Sequence, residues 1–164
     1  MAGIKEVKYL AVHCSATQPK SDIGAKEIDR MHRQRGFLKI GYHFVIRRDG
    51  TIELGRAFPD EIGAHVEGFN AVSCGICMVG GIDANGKSQD NFTDHQYHSL
   101  ALLLIDLHEK YPNAVIQGHR DFPNVNKDCP CFDVKKWWKD TCEVTDYSDP
   151  ILRAELCTLL KDKP

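Results

Sequence analysis

Eight histidines and seven cysteines stand in a chain of 164 residues, so imidazole and thiolate chemistry is the first to weigh. No two histidines form the H-x-x-x-H pair with which one helix face holds zinc, so metal ligands would have to come from separate elements. The candidates are His13 near the end of one apolar run, His119 after a second, and the thiols Cys129 and Cys131. Imidazole and thiolate are the ligands zinc prefers, and the stretch from His119 to Cys129 is long enough to curl back on one ion. The competing reading makes His13 a hydrogen-bonded core histidine and Cys129 a small buried hydrophobe, and residue types alone leave both open. Cys74 and Cys77 have C-x-x-C spacing, but within a strand they point to opposite faces, which argues against a second zinc site. An odd cysteine count favours reduced thiols over a disulfide framework, and a Cys129 to Cys131 bridge would close a strained ring.

The elements that must position these groups follow from hydrophobic period. Lys8 to Cys14 reads as a buried strand, with Val7, Tyr9, Ala11 and His13 on one face and Leu10, Val12 and Cys14 on the other. Ala25, Ile28, Met31, His32 and Arg35 recur at helical spacing between Gly24 and Gly36, with Ser21 and Asp22 as expected caps. Tyr42 to Arg47 and Thr51 to Gly55 flank Arg48-Asp49-Gly50, a hairpin signal. Ser73 to Val79 reads as a strand and Asp83 to Asp90 as a surface loop. Thr93 should cap a helix from Asp94 to Lys110, stopped by Pro112. Ala114 to Gln117 is a short strand, Phe122 to Cys131 a loop, and Asp133 opens a short helix bearing Trp137 and Trp138. Strands that alternate with helices and also form a hairpin predict an α/β class, a mixed central sheet flanked by helices. Sites in such sheets lie beyond strand ends, where His13, Tyr42 and His119 should meet.

Length predicts one domain with a short appended segment, and the Thr, Ser and Asp stretch beyond Asp140 places them at residues 1–140 and 141–164. In that segment Asp146, Ser148, Asp149 and Pro150 suggest a turn or helix start, and Ile151, Leu152, Glu155, Leu156, Leu159 and Leu160 form one apolar stripe. A formal charge of −2 argues against nonspecific nucleic-acid binding and against an anionic membrane surface. The run from Leu100 to Ile105 is far shorter than the ~20 residues that span a bilayer. The opening MAGIKEVKYLAV does not read as a secretory signal, so cytoplasmic synthesis is expected.

Four stretches, VHCSAT at 12–17, GYHFVIRRDGTIELGR at 41–56, GAHVEGFN at 63–70 and KDCPCFD at 127–133, together resemble one family. It is that of the type 2 zinc N-acetylmuramoyl-L-alanine amidases, which share a fold with peptidoglycan recognition proteins. Within it the likeness runs furthest toward the amidase-type lysozymes of T-odd bacteriophages, as in MVGGIDANGK and NFT. The resemblance spans Val7 to Trp138 and implies zinc ligands at His13, His119 and Cys129, with one coordination position open as in catalytic sites. It also implies that Tyr42 orients or deprotonates the attacking water and that Lys127 meets charge growing on the carbonyl oxygen. On residue type alone, Tyr42 is a strand residue with its hydroxyl in solvent and Lys127 a solvated loop charge. The phage relatives carry a small serine-like residue at position 131, so Cys131 is a competing thiol, although the resemblance favours Cys129.

His65 and Asn70 should lie on the rim of the substrate groove by the same likeness, with a packing role the alternative for either, and His43, next to Tyr42, is a further substrate-binding candidate. The reaction implied is hydrolysis of the amide between N-acetylmuramic acid and L-alanine in peptidoglycan, without a covalent enzyme intermediate, by a monomeric bacteriolytic endolysin that reaches the wall after release or non-classical export. No pair of carboxylates suits glycoside hydrolysis. Two rival classes stand beside it: a module that binds peptidoglycan without cutting it, and an intracellular regulator acting through the surface outside the groove. Binding-only family members lack the cysteine ligand, whereas this chain has Cys129, Tyr42 and Lys127 together.

Overall fold

A computed structural model describes residues 2–144 and 150–160. The chain runs β1 (Tyr9–Cys14), α1 (Ala25–Gln34), β2 (Phe44–Ile46), β3 (Ile52–Leu54), β4 (Ser73–Met78), α2 (Asp94–Lys110), β5 (Val115–Gly118), α3 (Val134–Val144) and α4 (Pro150–Leu159). The strands form one mixed sheet in the order β3-β2-β4-β1-β5, parallel except for the antiparallel edge strand β3. The expected mixed sheet with flanking helices is the architecture observed.

Alternation along β1 and β4 divides the interior. Leu10 and Val12 with Cys74, Ile76 and Met78 join the large cluster that includes Leu100, Leu103, Leu104 and Leu107 of α2, Val134 of α3 and Leu156 of α4. The opposite face carries Ala11 with Val66 and Phe122, and Cys77 with Val45 and Ile28 of α1. Cys74 and Cys77 therefore face opposite sides of the sheet, as alternation requires. Three helices cover one face; α1 and loops partly cover the other, and His13 projects there beside Cys77, its register partner.

Local chemistry explains the element ends. Gly24, rather than Ser21 or Asp22, caps α1: its N–H donates to Glu27 Oε2 at 2.8 Å, and the Ala25 N–H donates to Glu53 Oε1 at 2.9 Å, so carboxylates satisfy the first amides. At the start of α2, Thr93 Oγ1 accepts from the Gln96 N–H at 3.1 Å as expected, and Gln96 Oε1 accepts from the Thr93 N–H at 3.0 Å. The β2–β3 turn closes at Gly50, whose φ of 89° is costly for a residue with a Cβ. β2 is shorter than expected because the backbone bends at Gly41 and His43, although the carbonyls of Tyr42 and His43 still accept from residues just past β3, Arg56 at 2.9 Å and Gly55 at 2.8 Å. The helix expected over 151–160 is α4, with Leu156 buried but Ile151 73% exposed, so the stripe is covered only in part. The turn expected at Asp146, Ser148 and Asp149 lies outside the described residues.

Candidate metal centre

Three side chains converge at the carboxyl ends of β1 and β5. His13 is the penultimate residue of β1 and is 1% exposed. His119 follows Gly118 at the end of β5 and opens a single 3-10 turn, His119–Asp121, braced by the Gly118 N–H to Asp121 Oδ2 at 2.9 Å. The loop then doubles back, and the Arg120 N–H donates to the Cys129 carbonyl at 2.9 Å, returning the thiol to the histidines. The ligand atoms of His13, His119 and Cys129 all lie within 4.8 Å of one another. Tetrahedral zinc with bonds of 2.0–2.3 Å separates its ligand atoms by about 3.4–3.8 Å, so this set needs little contraction to close on an ion. The donor chemistry, two imidazoles and a thiol, fits zinc.

The surroundings keep the two imidazoles in the form a metal takes. Burial, then the neighbouring His65, His119 and Lys127, hold His13 well below the ordinary histidine range. Burial and the Lys127 charge lower His119 as well. Both rings are thus neutral at neutral pH, each with one nitrogen lone pair. The Cys14 N–H donates to Cys129 Sγ at 3.3 Å. Cys131 is turned elsewhere: its thiol donates to the Gly81 carbonyl at 3.2 Å and lies 3.9 Å from Cys14 Sγ, and it is outside the His13, His119, Cys129 group.

The Tyr42 ring lies 5.1 Å from the His13 ring, centroid to centroid. Burial and the surrounding thiols of Cys77, Cys129 and Cys14 push its phenol well above the usual tyrosine range, so it stays protonated and is a donor. Lys127 is exposed on the loop before Cys129, near enough for its charge to act on both histidines.

The residues expected to line a substrate groove are largely engaged inside the protein. His43 is fully buried; its Nδ1 accepts from the Gly75 N–H at 3.0 Å and its Nε2–H donates to the Glu61 carbonyl at 2.9 Å. It has no nitrogen left for a ligand, which corrects the expectation. His65 Nδ1 lies 2.9 Å from His13 Nε2, and its Nε2 lies 3.3 Å from Ser73 Oγ. Asn70 Oδ1 accepts from the N–H groups of His65 and Val66 at 2.8 and 2.9 Å, pinning the backbone that carries His65. The involvement of Ser73 had no signal in the sequence.

A family model described as N-acetylmuramoyl-L-alanine amidase matches residues 4–132, a span that contains His13, Tyr42, His119, Lys127 and Cys129 and stops before α3. The endolysin of Klebsiella phage KP32 is 47% identical over 141 residues, 86% of this chain and 91% of the relative. The endolysin of Escherichia phage T7 is 48% identical over 136 residues, 82% of this chain and 87% of the relative. Among solved structures, the N-acetylmuramoyl-L-alanine amidase LysC from Clostridium intestinale URNW superposes with a TM-score of 0.71 at 30% identity, covering 85% of this chain and 87% of that one.

Proposed function

The chain belongs to the N-acetylmuramoyl-L-alanine amidase family and is a peptidoglycan-hydrolysing amidase, and from that premise we propose that it works as a zinc enzyme through His13, His119 and Cys129. The observation that carries the zinc reading is the approach of those three ligand atoms to within 4.8 Å at the end of the sheet. Three protein ligands leave a fourth position open, the arrangement of catalytic rather than structural sites. When bound, zinc supplies Lewis-acid polarisation of the scissile carbonyl and brings the pKa of water to about 7.

The chain's own groups do the rest. Tyr42, held protonated beside His13, orients the attacking water through its hydroxyl group. The Lys127 ammonium meets the negative charge that grows on the carbonyl oxygen as water adds. The bond cut is the amide between the lactyl group of N-acetylmuramic acid and L-alanine. No helix among the described residues is long and apolar enough to cross a membrane, and the phage relatives are endolysins. Their likeness supports action on the bacterial cell wall.

Digestion of purified sacculi, with and without a chelator, tests this reading by mass spectrometry of the new ends. Free N-termini at L-alanine paired with intact muramic acid lactyl groups are expected, lost on chelation and restored by zinc. Binding to sacculi without new ends would make the protein a recognition module instead.

A further inference from the structure

The contacts of Ser73 settle where the protons in the histidine pair reside. Ser73 is wholly buried at the start of β4, and its hydroxyl donates to the Phe69 carbonyl at 2.8 Å. A serine has one proton, so its oxygen meets His65 Nε2, 3.3 Å away, as an acceptor. His65, as a neutral imidazole, then carries its proton on Nε2 and presents a bare Nδ1 to His13 Nε2 at 2.9 Å. Two ring nitrogens hydrogen-bond only if one is protonated, so His13 carries its proton on Nε2. The nitrogen His13 keeps for a metal is Nδ1.

We propose that His65 and Ser73 are positioning residues, a two-step relay that fixes the Nε2–H tautomer of His13 and thereby aims its Nδ1 lone pair at the metal position. The proposal rests on the zinc reading of the site and deepens it. The relay sits in a built slot. A Cβ on Gly75 would stand 2.7 Å from His65 Cδ2 and Cγ, and one on Gly63 would stand 2.7 Å from Cδ2, so the ring fills space that only glycine leaves open. The register places Ser73, Gly75 and Cys77 on one face of β4 opposite Tyr9, Ala11 and His13 of β1, so His65 lies over the glycine and reaches from Ser73 toward His13. Asn70 holds the backbone of His65, which gives the GAHVEGFN stretch a role behind the metal ligand.

Two measurements test the relay. Nitrogen-15 spectra of the full chain with metal removed should show His13 as the Nε2–H tautomer. In Ser73→Ala, which removes the hydroxyl acceptor and leaves only the residue-73 backbone to hold the His65 ring, the His13 signal should shift toward a mixture. Zinc affinity, read by chelator competition, should fall by about 10- to 100-fold in His65→Ala and by a smaller factor in Ser73→Ala. His65→Asn, whose amide oxygen can accept from His13 Nε2–H, should recover most of that loss. An Nδ1–H tautomer in the unmodified chain, or unchanged zinc affinity in Ser73→Ala and His65→Ala, overturns the relay. Should His65→Ala fail to fold, Ser73→Ala and His65→Asn decide the matter. Failure of the unmodified chain to bind zinc would instead overturn the zinc reading, and the tautomer spectrum would still judge the relay.

Discussion

Tyr42 and Lys127 flank the proposed metal ligands without belonging to them, and that separation makes their roles distinguishable. Tyr42→Phe and Lys127→Ala should each keep about one zinc per chain while turnover falls on the order of 10²-fold, because each acts on water or on the developing oxyanion. Turnover of sacculi at the parent rate in either variant would remove that residue from the mechanism. The two neighbouring thiols divide just as sharply: Cys129→Ser should lose zinc measured by metal analysis, whereas Cys131→Ser should retain it, since the Cys131 thiol is bonded to the Gly81 carbonyl. Retention by the first and loss by the second would exchange the two assignments. His13, His119 and Cys129 were legible as candidates because imidazole and thiol announce their chemistry by type. His43 and His65 were not, because their roles depend on partners 32 and 52 residues away in sequence, the Gly75 N–H and His13. A histidine that accepts from a buried amide and one that contacts substrate look alike until the fold supplies the partner.

Helix and strand periods made nearly every element visible, and turn and cap chemistry located the Gly50 hairpin and Thr93. What the pattern could not give was the way α2 is fastened to the sheet. Gln96, on the first turn of α2, is fully buried with four hydrogen bonds. Its Nε2 donates to the carbonyls of Ile46 and Val79 at 3.1 and 2.9 Å, and its Oε1 accepts from the Thr93 N–H at 3.0 Å and from Arg48 at 3.1 Å. One amide thus joins a helix start to the ends of β2 and β4. Gln96→Leu keeps a comparable volume but leaves the Thr93 N–H without its acceptor and takes one of two donors from each of the Ile46 and Val79 carbonyls, which keep the Val79 N–H and Arg48, and should cost about 1–3 kcal/mol in denaturant unfolding. Zinc affinity should not change, because the ligands lie on the other side of the sheet. A loss below about 0.5 kcal/mol would mean that water takes over these bonds.

At the scale of the molecule, the strand order β3-β2-β4-β1-β5 could not be read from the sequence, since the neighbours of β1 come from residues 73–78 and 115–118 and only the fold brings them together. The division we propose, an amidase domain over 1–140 and an appended segment over 141–164, meets a helix, α3, that runs through the boundary to Val144. α4 lays Leu156 into the cluster with α2, and Glu155 meets His98 at 2.8 Å in a half-exposed pair of little weight. Truncation after Val144 should therefore lower the melting temperature and leave zinc affinity intact; loss of a dimer on sedimentation with no change in melting would make the segment an oligomerisation element. The histidines set a second property of the whole. Burial lowers His13, His32, His43 and His119 below the ordinary range, and lowers His65 to about 3. In the unfolded chain each titrates near 6.5, so acidification protonates the unfolded state first, and stability present above that pH is lost below it. Each site costs about 1.4 kcal/mol per pH unit until its folded pKa is reached. The lowered carboxyls of Glu27, Asp29 and Glu61, held by the Gly24 N–H, Arg33 and Lys39, lose their contribution only in a separate window below about pH 4. Melting of the chelator-treated chain at fixed ionic strength should thus fall steadily between pH 7 and pH 5, above the window in which the lowered carboxyls of Glu27, Asp29 and Glu61 lose their contribution. A flat melting temperature across that interval would show that the histidines can charge in place, through openings that admit water to the sheet end where His13 and His65 meet.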